Sequence, residues 1–217
     1  MVKITWHGHA CFQITASNGK TIVIDPHDGY SIGLKPPRVK ADIILVTHDH
    51  FDHNAVEVVK KPDSIIIKEY VGEKEVNGIK IKGVKVYHDK SKGRFRGEVI
   101  AYKVLVNDIA VVHLGDLGHV LEEHQVTLLK PVDVLLVPVG GTYTIEPYEA
   151  VEVIKQLEPR IVVPMHYWVS GITLPLKTIE DFLGYVKYRV ERIDDNSFEV
   201  SRESLPEKVV VRILKYK

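Results

Sequence analysis

The feature that most constrains this chain is a six-residue stretch, His48-Asp-His50-Phe-Asp52-His53, placed directly after the apolar run at 42–46. In extended backbone, residues two apart face the same side, so His48 and His50 can grip one metal ion. A turn after them swings Asp52 and His53 toward a second ion. Imidazole and carboxylate suit zinc first, with manganese or iron as alternatives. A chain with 11 histidines in 217 residues forms this pattern by chance in roughly two cases per thousand. The chain must therefore build a scaffold that ends a buried strand at a polar, metal-ready loop.

The rest of the sequence supplies strands in quantity. Short apolar or alternating runs predict strands at 2–6, 12–15, 21–25, 42–46, 64–68, 79–82, 84–87, 99–106, 109–114, 133–138 and 161–165, with a return to strand at 198–200 and 209–214. Asn18-Gly19 and Asn107-Asp108 read as hairpin turns. Helices are expected at 147–157, with Pro147 in the first turn, at 178–190, where Thr178 and Asp181 suggest a capping box, and briefly at 54–61. No linker or charge block divides the chain, so residues 1–217 are expected to form a single domain, two stacked sheets with helices outside.

Composition narrows the function classes. Equal numbers of basic and acidic residues, 29 each, argue against a broad nucleic-acid surface. One cysteine, Cys11, rules out an internal disulfide and a thiolate-rich zinc site and is expected in the core. No run reaches the length of a membrane span, and the expected location is the cytoplasm. The richness in Val, Ile, Lys and Glu is the bias of proteins from very hot environments. No G-x-S-x-G elbow or P-loop is present.

In the pattern of His48, His50, Asp52 and His53 the chain resembles the metallo-β-lactamase superfamily, whose fold is a four-layer αββα sandwich. Asp25, at the end of Thr21-Ile-Val-Ile-Asp25, matches the structural carboxylate of the first motif. His88 is the candidate for the third motif, with His113 as its competitor. Asp116 in His113-Leu-Gly-Asp116 matches the fourth, and His166 in Val163-Pro-Met-His166 the fifth. The resemblance implies that His48, His50 and His88 hold one divalent metal, and that Asp52, His53 and His166 hold the other. Asp116 and a hydroxide would bridge the pair, and Asp52 would orient the nucleophile. His9 and His119 are expected as supporting or substrate-facing groups, His27 at a pocket rim, and His7 and His124 in packing or on the surface.

The stretches Thr5-Trp6-His7-Gly8-His9-Ala10, Val139-Gly140-Gly141-Thr142 and Pro164-Met165-His166-Tyr167 look most like the ascorbate-6-phosphate lactonase branch. The chain departs from that branch around Leu117-Gly118-His119 and in residues 89–97, where a substrate would be contacted. The resemblance implies a dinuclear zinc hydrolase acting on an ester, lactone or phosphoester of a small molecule. A phosphodiesterase or nuclease of the same superfamily and a non-catalytic metal-binding protein are the alternatives. A redox di-iron site fits poorly, because His50 stands where such sites carry a carboxylate. The basic residues at 90–96 are a candidate phosphate contact, and a homo-oligomer remains open.

Overall fold

A computed structural model describes all 217 residues. The first half of the chain builds a six-stranded sheet from β1 (Val2–Trp6), β2 (Phe12–Thr15), β3 (Thr21–Ile24), β4 (Ala41–Val46) and β5 (Lys60–Lys68), closed on the far side by β13 (Ser197–Val200), in the order β13-β1-β2-β3-β4-β5. The second half builds an eight-stranded sheet from β6 (Gly72–Val76), β7 (Ile79–Tyr87), β8 (Glu98–Val106), β9 (Ile109–His113), β10 (Val134–Pro138), β11 (Ile161–Met165), β12 (Arg189–Ile193) and β14 (Val210–Leu214). Its order is β12-β14-β11-β10-β9-β8-β7-β6.

The two sheets share one core of 51 buried residues. Alternation along β4 shows how the layers are specified. Ile43 and Leu45 enter that core, whereas Ile44 and Val46 face outward to a smaller cluster with Val56 and Val59 of α1 (Val56–Val59). Over the eight-stranded sheet lie α2 (Glu123–Leu129), α3 (Pro147–Leu157) and α4 (Ile179–Leu183). The mixed α/β sandwich of two sheets matches the expected class, with a thin helical layer over the smaller sheet.

Differences from expectation have local causes. The helix expected at 178–190 stops at Leu183: Thr178 and Asp181 do form the capping box, but Gly184 follows, and Arg189–Ile193 pairs in parallel with β14. Val190 and Ile193 prefer the extended backbone that this pairing offers. The helix expected at 54–61 shrinks to four residues because Lys60 already pairs with Ala41. β5 accommodates Pro62 because it is an edge strand. β6 escaped expectation because it is charged and mostly exposed, yet Asn77-Gly78, both at positive φ, turns it into β7.

Asp42 ties the edge of the smaller sheet together. Its carboxylate accepts hydrogen bonds from the Thr21 amide at 2.9 Å, from Lys61 at 2.7 Å and from Lys20 at 3.2 Å. Burial alone would raise its pKa; Lys61, the Thr21 amide and Lys20 outweigh that and hold it at about 2. A carboxyl depressed in the folded state contributes stability that is complete above its unfolded value near ~3.9 and is lost as the pH falls toward the folded value. Asp42→Asn should therefore cost about 1 kcal/mol at pH 7, allowing for screening of the partly exposed lysines. The penalty should shrink to about half by pH 3 in urea melts; an equal penalty at both pH values would remove the ionised carboxylate as the cause.

Candidate metal centre

The strand directions bring distant residues to one rim. β3 and β4 run parallel, as do β9, β10 and β11, and β7 shares their direction through the antiparallel β8. Their C-terminal ends deliver Asp25 after β3, the 48–53 stretch after β4, His88 after β7, Asp116 after β9 and His166 after β11. Two glycines let the rim close. A Cβ on Gly118 would lie 2.2 Å from the His88 carbonyl carbon, and one on Gly140 would lie 2.1 Å from the His166 oxygen. Only glycine admits backbones that close.

Two groups of donor atoms flank Asp116, and Asp25 with His48 and His53 forms a third. His48, His50 and His88 place their ligating atoms within 4.8 Å of one another, and so do His9, Asp52, His53 and His166. Asp116 lies between the groups. Its Oδ1 is 3.2 Å from His53 Nε2, and its Oδ2 is 3.2 Å from His166 Nε2, 3.4 Å from His88 Nε2 and 3.8 Å from His48 Nε2. All of these residues except His50 are buried.

Hydrogen bonds behind the rings decide which nitrogens are free. Thr47 Oγ1 donates to Asp25 Oδ2 at 2.7 Å, so it must accept from His48 Nδ1 at 2.9 Å. His53 Nδ1 donates to the same Asp25 oxygen at 2.9 Å, and the Thr47 amide donates to Asp25 Oδ1 at 2.8 Å. In the neutral ring Nε2 of each histidine is therefore the lone pair, and neither atom has a hydrogen-bond partner. Asp116 Oδ1 also lacks one. Buried acceptors turned toward a buried carboxylate repel unless a cation stands between them. Charges on the rings report the same demand. The His53 pKa rises well above its ordinary value despite burial because Asp116, Asp52 and Asp25 surround it. Asp116 is held well below its usual value against burial, by His166 and His53. Burial, reinforced by His53, pushes His48 down to about 3, so its ring is neutral and available as a ligand. The donor set fits two divalent metal ions.

Other sequence-selected residues take distinct positions. Asp25 is fully buried and holds His53 directly and His48 through Thr47, a link not expected from the sequence and marked there only by its place before the His48 motif. His9 Nε2 lies 2.9 Å from Asp52 Oδ2, with its ring 4.1 Å from that of His166. His113, the competitor of His88, is committed elsewhere: Nε2 donates to the Ala10 carbonyl at 2.8 Å and Nδ1 accepts from the Gly115 amide at 3.0 Å. His119 and His27 do not face the pocket. His119 accepts from the Tyr87 amide and donates to the Val120 carbonyl, supporting the backbone just before His88. His27 is buried against the His7 carbonyl. His7 pairs with Gln13, His124 is exposed beside Glu122, and Cys11 is buried. A cavity of about 380 Å³ opens over the cluster, lined by His50, Asp52, His88, Asp116 and His166 together with Phe51, Arg96, Tyr143 and Leu174. No sequence signal marked Leu174 as part of it.

Residues 3–166 match the family described as the beta-lactamase superfamily domain. A UPF0173 metal-dependent hydrolase of Thermococcus onnurineus is 35% identical, over 77% of this chain and 85% of the relative. A crystal structure from Thermotoga maritima, assigned to the metallo-beta-lactamase superfamily, is 39% identical with a TM-score of 0.79, covering 99% of this chain and 100% of that one. A Parabacteroides distasonis structure shares the fold at 23% identity and a TM-score of 0.72, over 100% of this chain and 94% of that one. Fold and matches together define the class, a metal-dependent hydrolase. The chain belongs to the metallo-β-lactamase superfamily. No helix is long and apolar enough to cross a membrane.

Because Asp25 fixes the tautomers of both His48 and His53, Asp25→Asn should weaken metal retention about 10- to 100-fold in chelator competition followed by metal analysis. Added metal should raise the wild-type melting temperature by an amount that grows with free metal concentration. Unaltered retention in the variant would remove Asp25 from its supporting role.

Proposed function

We propose that the chain hydrolyses an ester, lactone or phosphoester bond of a small molecule at a dinuclear centre, with zinc as the first choice of metal. The observation that carries this reading is the pair of donor groups flanking Asp116 at the floor of a cavity of about 380 Å³. His48, His50 and His88 would hold one ion, Asp52, His53 and His166 the other, and Asp116 would bridge them. When bound, two divalent ions supply Lewis acidity and make hydroxide available from water near neutral pH. The Thermotoga maritima relative, provisionally described as a Zn-dependent hydrolase, supports the choice of zinc.

The remaining steps belong to the chain's own side chains. His9 Nε2 holds Asp52 Oδ2, which leaves Oδ1 to orient the attacking water and to carry its proton to the departing oxygen. Asp25 and Thr47 keep Nδ1 of His53 and His48 protonated, so Nε2 of each would be available to hold a metal ion. Phe51, Tyr143 and Leu174 give the cavity apolar walls that limit bulk water around the reacting bond. Its size suits a small substrate, which is consistent with the lactonase-like stretches of the sequence.

The test combines metal analysis with a panel of a lactone, an aryl ester, a phosphomonoester and a phosphodiester. Purified protein should carry two equivalents of zinc. His48→Ala and Asp116→Ala should lower kcat/KM by about 100-fold or more together with metal content. Turnover unchanged in the Asp116 variant would defeat the bridging assignment. Two equivalents of redox-active iron would defeat the zinc hydrolase reading, and selective phosphodiester cleavage would transfer the chain to the phosphodiesterase alternative.

A further inference from the structure

The cavity wall contains one permanent cation, Arg96, and its surroundings are built to hold it still. Residues 89–97 wrap around the Asp89 carboxylate, which accepts from the amides of Ser91 at 2.7 Å, Gly93 at 3.1 Å, Phe95 at 2.9 Å and Arg96 at 2.8 Å. The loop closes back on the metal rim, where the His88 amide donates to the Gly97 carbonyl at 3.1 Å. Arg96 is therefore tied to His88 through a short, hydrogen-bonded loop. Its guanidinium lies 5.1 Å from the centre of the Tyr143 ring, and Nη1 donates to the Thr142 carbonyl at 3.2 Å.

Charge bookkeeping along the loop separates Arg96 from its neighbours. Lys90 is paired with Glu149 at 2.7 Å, and Lys92 lies 3.6 Å from Glu122. The guanidinium of Arg94 leans on Phe95, and neither residue lines the cavity. Arg96 has no carboxylate within ion-pair distance, although Asp52 and Asp116 line the same cavity. With one Nη1 contact made, its Nε and Nη2 donors remain unpaired. This planar fork matches the geometry of a carboxylate or phosphate. Tyr143, whose ring the guanidinium covers, lines the same cavity.

We propose that Arg96, steadied by Tyr143 and Thr142, binds an oxyanionic group of the substrate, a carboxylate or a phosphate, so that this site selects anionic small molecules. The proposal rests on the hydrolase reading and names the substrate class of that same site. Lys90 and Lys92 play no part in it, which reduces the candidate phosphate contact at 90–96 to a single residue. The oxyanion bound by Arg96 is a group other than the scissile bond, which would lie over the histidine cluster.

Two measurements test it. In calorimetry with metal-loaded protein, succinate and 3-phosphonopropionate should bind about 10- to 100-fold more tightly than butyrate. The tighter of the two diacids identifies the preferred oxyanion. Arg96→Met should abolish that advantage, and Arg96→Lys should restore part of it. In turnover, the ratio of kcat/KM for mono-4-nitrophenyl succinate over 4-nitrophenyl butyrate should fall about 10- to 100-fold in Arg96→Met. Equal binding of all three acids by the wild type, or an unchanged preference in Arg96→Met, overturns the proposal. Failure of the hydrolase reading has a different signature: neither ester turns over, while the Arg96-dependent binding difference persists.

Discussion

Everything in this rim is arranged around an electrostatic conflict. The Asp116 carboxylate sits in the protein interior facing Nε2 of four imidazoles at 3.2–3.8 Å. On His48 and His53 the hydrogen bonds at Nδ1 make Nε2 the lone pair of the neutral ring, so a proton or a metal ion must supply the charge there. Acceptors that converge on a buried anion raise the energy of the folded chain unless positive charge resides among them. The folded chain thus carries a standing demand for cations. Attraction for a cation and the cost of leaving these groups facing one another are two expressions of one interaction.

That demand is tolerable because the scaffold is rigid behind it. Fifty-one buried residues belong to the core between the two sheets, and four strands at or beside the rim, β4, β9, β10 and β11, are buried at every residue. Asp25 extends this rigidity into the ligands by accepting from Thr47 and His53 at once. Close approach of Gly118 to the His88 backbone and of Gly140 to the His166 backbone sets the spacing between loops that are far apart in sequence. The spacing of the donor atoms follows from packing, and a metal of the right size exploits it.

Legibility of this arrangement in the sequence depended on whether a residue's role was written in its neighbours. The strand ending at Val46 and the four residues His48, His50, Asp52 and His53 form a local pattern, so both the strand and the polar loop were readable. Asp25, Asp116 and His166 each stand just past an apolar run, which is where a parallel sheet presents its loops. Nothing local distinguishes His88 from His113, because the difference lies in what the rings meet: His113 is satisfied by the Ala10 carbonyl and the Gly115 amide, from segments a hundred residues apart. The position of His119 is likewise set by what its ring meets, with Tyr87 and Val120 taking both nitrogens. The helix expected at 178–190 had the right cap and the right apolar spacing. It lost to the pairing of Arg189–Ile193 with β14, which no window of the sequence contains.

Ten non-glycine residues adopt left-handed backbone, at turns, at a helix end and at the rim. Left-handed backbone at Asn77, Asn107 and Asp108 falls in two-residue hairpin turns, where short polar side chains tolerate it. His9, Asp25, Thr142 and His166 adopt the same region, at φ 52°, 49°, 60° and 51°, without such an excuse. Each costs of order 1–3 kcal/mol and persists only where the surrounding structure over-determines it. All four lie at the rim. The His166 amide donates to the His9 carbonyl, which also accepts from Trp6 Nε1, so two strained residues brace each other against an aromatic anchor. Thr142 is held through its hydroxyl by the Pro175 carbonyl, and its own carbonyl receives Arg96. Strain at the donor side and strain at the Arg96 side of one cavity have a common cause. The chain turns sharply at the strand ends so that side chains from both sheets reach a volume only a few ångströms across.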